Sequence, residues 1–380
     1  MALWLAAVTL GVALFFLVFY VGGVSQLREF ARLPLPDMST REWPRVSVII
    51  CALNEEATIE RGLESILALN YPNLEIILID DRSTDRTGLI LDNMAAMSPH
   101  LKVFHLTELP KGWLGKNHAM AYGAKRAVGD YLLFTDADVV LEKNVLLRAI
   151  NHMQTQPLDH LTSSPFVDVE GFWINLSVAM FTIFFNIYMR PWKARDPKSK
   201  AGIGIGAFNL MTREIYERMG TIKAIAMRPD EDIRMGMLLK SIGARQELVV
   251  GKNVISVKWY ETVSEMIHGL EKNIFAGLNY NFWLLVFFSI PMTLFCIVPL
   301  FALFLTTGVT QLMYVLTILC FVGFYYVTSR YRCGPWWPGF FFSIGSILHL
   351  YIMWRSTLKT LRQRGIYWRG TFYSLRELKA

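Results

Sequence analysis

Residues 2–24, ALWLAAVTLGVALFFLVFYVGGV, carry no charged side chain, and a helix of that length reaches across a hydrocarbon core of ~30 Å. Phe282–Ser329 is a second uncharged run, long enough for two crossings, and Cys333–Trp354 is a third. In lipid every main-chain N–H and C=O must be satisfied within the segment, so such runs fold as helices. The expectation is an integral membrane protein. The first run reads as a retained anchor rather than a cleaved leader. It has no basic region before it, exceeds a usual signal core, and shows no small-x-small cleavage site.

Five segments follow: an anchor over 1–27, a polar, Pro-containing linker over 28–44, and a less apolar central domain over 45–280. Transmembrane or re-entrant helices fill 281–356, and a basic interfacial tail fills 357–380. The net charge of +7 belongs to this layout, because Arg28 and Arg32, Arg330 and Arg332, and Arg355, Lys359, Arg362, Arg364 and Arg369 all flank apolar runs. That is a positive-inside pattern with contact to anionic membrane lipids. No basic patch is interleaved with exposed aromatics, so nucleic-acid binding is not expected. The cysteines at 51, 296, 320 and 333 show no paired spacing, hence neither a disulfide framework nor a zinc site.

Between the apolar ends, short strands and helices alternate. Val46–Ala52, Glu75–Ile79, Lys102–Leu106 and Tyr131–Thr135 are predicted strands; Glu56–Leu69, residues 85–97 and Asn117–Ala127 are predicted helices. Continuous β-branched runs such as VSVIICA suit strands covered on both faces, and the alternation implies an α/β fold with a mostly parallel, Rossmann-like sheet. Ligands in such sheets bind beyond the carboxyl ends of the strands. Three strands end in polar groups there: Asn54-Glu55, Asp80-Asp81, and Asp136 with Asp138. Gly171–Trp192 is apolar but broken by Asn175 and Asn186, which favours an interfacial helix, or a buried one, over a span. Gly202–Met211 is glycine-rich without the dinucleotide spacing and carries little weight as a phosphate loop.

Asp-x-Asp at a strand end places two carboxylates within reach of one hard divalent cation, Mg²⁺ or Mn²⁺, which takes oxygen ligands and substrate phosphates. Asp80, Asp81 and Glu55 are suited to accept hydrogen bonds from a nucleoside. Lys116-Asn117 opens a helix, where N–H groups and the dipole favour phosphate. Asp230-Glu231-Asp232 leads into another helix; adjacent carboxylates raise one another's proton affinity, which suits a general base. Asp232 is the first choice and Glu231 the second. The seven histidines show no ligand spacing.

Taken together, VSVIICALNEE (46–56), EIILIDDRSTDRT (75–87), GWLGKNHAMAYGAK (112–125), GDYLLFTDADV (129–139), GAFNLM (206–211) and DEDIRMG (230–236) resemble a family-2 glycosyltransferase with a GT-A type domain. The resemblance implies an inverting transfer from a nucleotide-sugar donor, a UDP-sugar before a GDP-sugar. It puts the metal on Asp136 and Asp138, the nucleoside on Asp81 and Glu55, the phosphates near Lys116 and Asn117, and the base at Asp232. The flanking apolar runs and the tail RGIYWRGTFYSL (364–375) look most like the lipid-modifying branch, which includes ceramide glucosyltransferase-like and hopanoid- or carotenoid-associated enzymes. Trp368, Arg369 and Tyr373 are candidate tail contacts. The Gln-x-x-Arg-Trp motif of processive polysaccharide synthases is absent, which favours one transfer to a lipid acceptor over polymer export. An inactive scaffold keeping a nucleotide pocket is the remaining alternative.

Cytosolic nucleotide sugars imply a cytoplasmic catalytic domain. Three crossings after it would leave the basic tail outside, against the charge rule. One segment is then expected to be re-entrant or interfacial, with 282–307 (Pro291, Pro299) and 337–354 (Gly339, Gly345) as candidates.

Overall fold

The computed structural model describes residues 2–38, 42–332 and 334–379, without the side chain of Arg332; Cys333, where the third apolar run begins, residues 39–41 of the predicted linker, and the last tail residue lie outside. The chain forms two compact units, one of residues 1–26, 169–190 and 259–380, the other of 27–168 and 191–258.

The second unit is built on a sheet of nine strands among the described residues. These are β1 (Arg28–Glu29), β2 (Val46–Ala52), β3 (Leu74–Asp81), β4 (Leu101–Leu106), β5 (Tyr131–Asp136), β6 (Val139–Leu141), β7 (His160–Val167), β8 (Asn209–Thr212) and β9 (Gln246–Val257). Their order is β1-β9-β7-β8-β5-β2-β3-β4, with β6 also on β9. Strands β5, β2, β3 and β4 run parallel, while β8 is antiparallel to both β5 and β7. All four strands expected from the sequence are present.

The helices in chain order are α1 (Ala2–Val24), α2 (Ile59–Leu67), α3 (Thr87–Met97), α4 (Gly115–Arg126), α5 (Val145–Thr155), α6 (Phe172–Met189), α7 (Arg213–Arg218) and α8 (Glu231–Ser241). They continue with α9 (Val263–Gly277), α10 (Phe282–Met292), α11 (Val298–Leu305), α12 (Gly308–Arg332), α13 (Phe342–Gln363) and α14 (Leu375–Lys379).

Every residue of β2 is buried, and strand alternation sends them to opposite faces. Ile49 and Cys51 join Ile77, Ile79, Ala119, Met120 and Ala124 on the α4 side. Val48 and Ile50 join Ile59, Leu63 and Leu91 on the α2 and α3 side. Gly123 lets α4 approach closely, since a Cβ there would lie 2.7 Å from Cγ2 of Ile49. This double cover explains why the strands read as unbroken apolar runs. The stretch 28–44 is more than a linker: Arg28 and Glu29 pair with Val249 and Val250, and the ring of Phe30, fully buried, packs 5.4 Å from that of Phe208.

Among the described residues, Ala2–Val24, Phe172–Lys193, Phe282–Leu305 and Gly308–Tyr331 are long and apolar enough to cross a membrane. Tyr20 of α1 shares a buried 2.8 Å hydrogen bond with Thr328 of α12. Pro291 lies within α10, which passes into α11 through a π-helical turn, Thr293–Ile297, as proline in a helix interior removes a donor. The third run is interrupted by a 3₁₀ turn, Trp337–Phe341, and continues as α13. The beginning of the predicted tail is thus helical. It continues as a hairpin of β10 (Gly365–Trp368) and β11 (Thr371–Ser374), turned by Arg369 at φ 49° and Gly370 at φ 77°, as a two-residue hairpin loop requires, and then as the short α14.

Candidate active site

Strand β5 delivers Asp136 to the sheet's carboxyl edge, in register with Cys51 of β2. Asp138 follows in the turn before β6. Thr135 donates to the carbonyl of Ala207 at 2.8 Å and fastens this edge to the glycine-rich segment.

Helix α4 brings the cation. It can start where it does because residue 115 is glycine: a Cβ would sit 2.5 Å from Oδ2 of Asp81 and 2.6 Å from Nη2 of Arg82. The next residue, Lys116, places Nζ 2.6 Å from Oδ1 of Asp136 and 2.6 Å from Oε1 of Glu231. Burial works against its ammonium, yet Asp136, Glu231 and Asp232 hold its pKa well above the ordinary lysine range.

Helix α8 brings the acids. Asp232 Oδ2 accepts from the Gly206 amide at 2.9 Å, and Oδ1 from the Ile233 amide at 2.7 Å. Burial, then the Glu231 carboxylate, push Asp232 up to about 7 against the opposing Lys116 charge. Asp138 is also pushed up to about 7, by burial, then by Asp136 and Glu55. A small cavity is lined by Lys116, Asp136, Gly206, Asn209, Glu231 and Asp232 among others.

The glycine-rich segment has a role that its motif spacing hid. A Cβ at Gly204 would overlap the Asp232 carbonyl oxygen, and one at Gly236 would overlap the Ile203 backbone. Glycine at both positions lets 202–206 lie flush on the first turns of α8. Asn209, just beyond, pairs with the buried His160 and lies 3.6 Å from Met235 sulfur. Neither residue stood out in the sequence; the alternating glycines were the available signal.

The other expected site residues are placed as follows. Asn54, at φ 54°, accepts from the Thr84 amide at 2.8 Å, and its amide donates to Ser83 at 3.1 Å. The Glu55 amide donates to Thr87 at 2.8 Å. These bonds knit the loops after β2 and β3. Asp81, fully buried, forms a two-pronged pair with Arg82 at 2.8 and 3.0 Å. Asp80 faces the next strand, where its Oδ2 meets Nδ1 of His105 at 2.7 Å. The Asn117 amide nitrogen donates to three carbonyls, those of Ile225, Ala226 and Arg228. Trp368, Arg369 and Tyr373 belong to the first unit; Lys272 Nζ stands 4.2 Å over the Trp368 ring, and Tyr373 pairs with Ile366.

The donor set of Asp136 and Asp138 is hard oxygen only, and the Asp136 and Glu55 carboxylates add to burial in raising Asp138. Both fit a divalent ion. Among the described residues no group of three His, Cys, Asp or Glu side chains is gathered for a metal, so phosphate and water would complete the shell.

Residues 47–220 match the family described as glycosyl transferase family 2. The 4,4'-diaponeurosporenoate glycosyltransferase of Staphylococcus haemolyticus is 28% identical over 239 residues, 62% of this chain and 62% of that protein. The beta-monoglucosyldiacylglycerol synthase of Synechocystis sp. is 35% identical over 116 residues, 30% of this chain and 24% of that protein. This chain thus spans less than two thirds of the length of these relatives. Among solved structures, a mannosyltransferase from Pyrobaculum calidifontis in complex with GDP-Man and Mn²⁺ aligns at TM-score 0.52 and 17% identity, over 96% of this chain and 98% of that one. At that identity the likeness is one of fold.

Proposed function

We propose that this chain, whose residues 47–220 form a glycosyl transferase family 2 domain of GT-A type, moves a sugar from a nucleotide-sugar donor to a lipid acceptor with inversion. One observation carries the reading: a single ammonium, Lys116, spans the strand-end Asp136 and the α8 acid Glu231 at 2.6 Å each. That contact brings the predicted donor side and the predicted base side into one site.

Asp232 takes the acceptor hydroxyl proton as that oxygen attacks the anomeric carbon and the bond to the diphosphate breaks. A carboxylate at about 7 is well matched to this task near neutral pH. The Gly206 and Ile233 amides fix its orientation. Glu231 is the less available of the two acids, because Lys116 is bound to it directly. Lys116 offers positive charge to the phosphates, and Glu55 and Asp81 stand at the neighbouring strand ends for the nucleoside. Asp136 and Asp138 would hold Mg²⁺ or Mn²⁺, which supplies charge neutralisation for the departing diphosphate.

Four long apolar helices among the described residues and relatives named for 4,4'-diaponeurosporenoate and for monoglucosyldiacylglycerol support the lipid acceptor. They also support a membrane location; the catalytic unit is assigned to the cytoplasmic side because nucleotide sugars are cytosolic. Helix α6 connects β7 to β8, which are hydrogen-bonded to each other. A segment joining two paired strands must return to the side it left, which supports the interfacial or buried reading of 171–192 over a single crossing.

The test is a screen of UDP- and GDP-sugars with total lipid extract and the full-length protein in detergent, read by product mass. A glycolipid should form, and Asp232→Asn should slow its formation by ~10²–10⁴-fold with donor affinity kept. Long polymer, or no transfer from any donor, would overturn the reading.

A further inference from the structure

We propose that Asn117 is a positioning residue for the base rather than a donor ligand, an inference that rests on the function proposed above. Its side chain is fully buried in the first turn of α4. The amide nitrogen donates to the carbonyls of Ile225 at 2.9 Å, Ala226 at 3.1 Å and Arg228 at 2.9 Å. Its Oδ1 is buried without a hydrogen-bond partner among the described residues. The Leu114 amide adds a bond to the Ala226 carbonyl at 3.0 Å. Leaving a buried acceptor unsatisfied costs stability, so the orientation of this amide is set by the three carbonyls.

The bonds lead onward to α8. The Arg228 guanidinium grips Asp230 at 2.8 and 2.9 Å, and Asp230 is the N-cap residue of the helix that carries Glu231 and Asp232. Lys116 holds that same helix directly through Glu231. Two consecutive residues of α4 therefore fix the start of α8 from two sides, Lys116 by charge and Asn117 through the loop 225–228. The loop would otherwise decide where Asp232 stands relative to Asp136.

The experiment compares full-length wild type with Asn117→Asp, which keeps the side-chain shape and turns its donor into a carboxylate facing three carbonyls. Amide hydrogen exchange over 225–233 should quicken. The kcat should fall on the order of a hundredfold, the effect of misplacing a reacting group by about 1 Å, with donor KM within about threefold. Unchanged exchange, or a raised donor KM with kcat intact, would overturn the proposal. Should Asn117→Asp fail to fold, Arg228→Gln decides, because Arg228 is partly exposed. It should show the same loss of kcat at constant KM, and wild-type kcat there would equally overturn the proposal. If wild type transfers no sugar while exchange still quickens in Asn117→Asp, the clamp stands and the reading of function falls.

Discussion

Replacing Asp138 by asparagine should have opposite effects with and without a divalent ion. In the ion-free protein the Asp138 carboxyl is pushed from 3.8 to about 7 by burial, then by Asp136 and Glu55. That gap of about three pH units, at about 1.36 kcal/mol each, amounts to about 4 kcal/mol opposing ionisation. The folded value is the raised one, so between the two values the unfolded chain binds fewer protons. Ion-free stability then falls as pH climbs from about 4 to 7 and stays low above it. Asp138→Asn removes that burden. In chelator at pH 8 the variant should melt above wild type by on the order of 10 °C for a unit of this size, and near pH 4 the two should coincide. Adding Mn²⁺ with a nucleoside diphosphate reverses the order, because ligand binding stabilises only the state that binds. The assay is thermal unfolding of detergent-purified full-length protein at both pH values, with chelator and with Mn²⁺. A variant that melts with wild type at pH 8 in chelator, or gains as much from Mn²⁺, would refute the argument.

Two further substitutions probe other parts of the site. His105 is raised above 6.5 by its bond to Asp80, against burial and with help from Asp92. Its contribution is full below the ordinary histidine value and lost as pH rises through the folded value; urea unfolding of His105→Gln should lag wild type most in acid, and a gap that widens in alkali would contradict this. Gly204→Ala drives a methyl group onto the Asp232 carbonyl. It should cost about 1–3 kcal/mol together with most of the turnover, and unaltered melting and kinetics would show that the segment yields freely.

The strands were legible because burial on both faces leaves a run such as VSVIICA with no polar alternation. The acids at their ends were legible because each follows such a run directly. Contacts made by main chain were not. Nothing in GIGIGAF announces that Gly204 and Gly206 meet Asp232, since glycine spacing alone does not name the partner backbone. Asn117 reads as a donor ligand because it opens a helix, and Asp80 because it ends a strand. Only three-dimensional neighbours, the carbonyls of 225–228 and the ring of His105, show where their hydrogen bonds go. Arg28 and Glu29 had too few residues for a strand signal, and their pairing is dictated by the long β9.

The chain leaves the catalytic sheet after β7, runs through α6, and only then supplies β8 and β9. Both late strands lie inside the strand order, with β8 joining β7 to β5 and β9 flanking β7. A ribosome adding ~5–20 residues per second therefore exposes the greasy α6 for seconds before its flanking strands can zip together. On the interfacial placement proposed above for α6, that segment meets the lipid surface before the catalytic sheet is complete, which ties biogenesis as well as catalysis to the membrane.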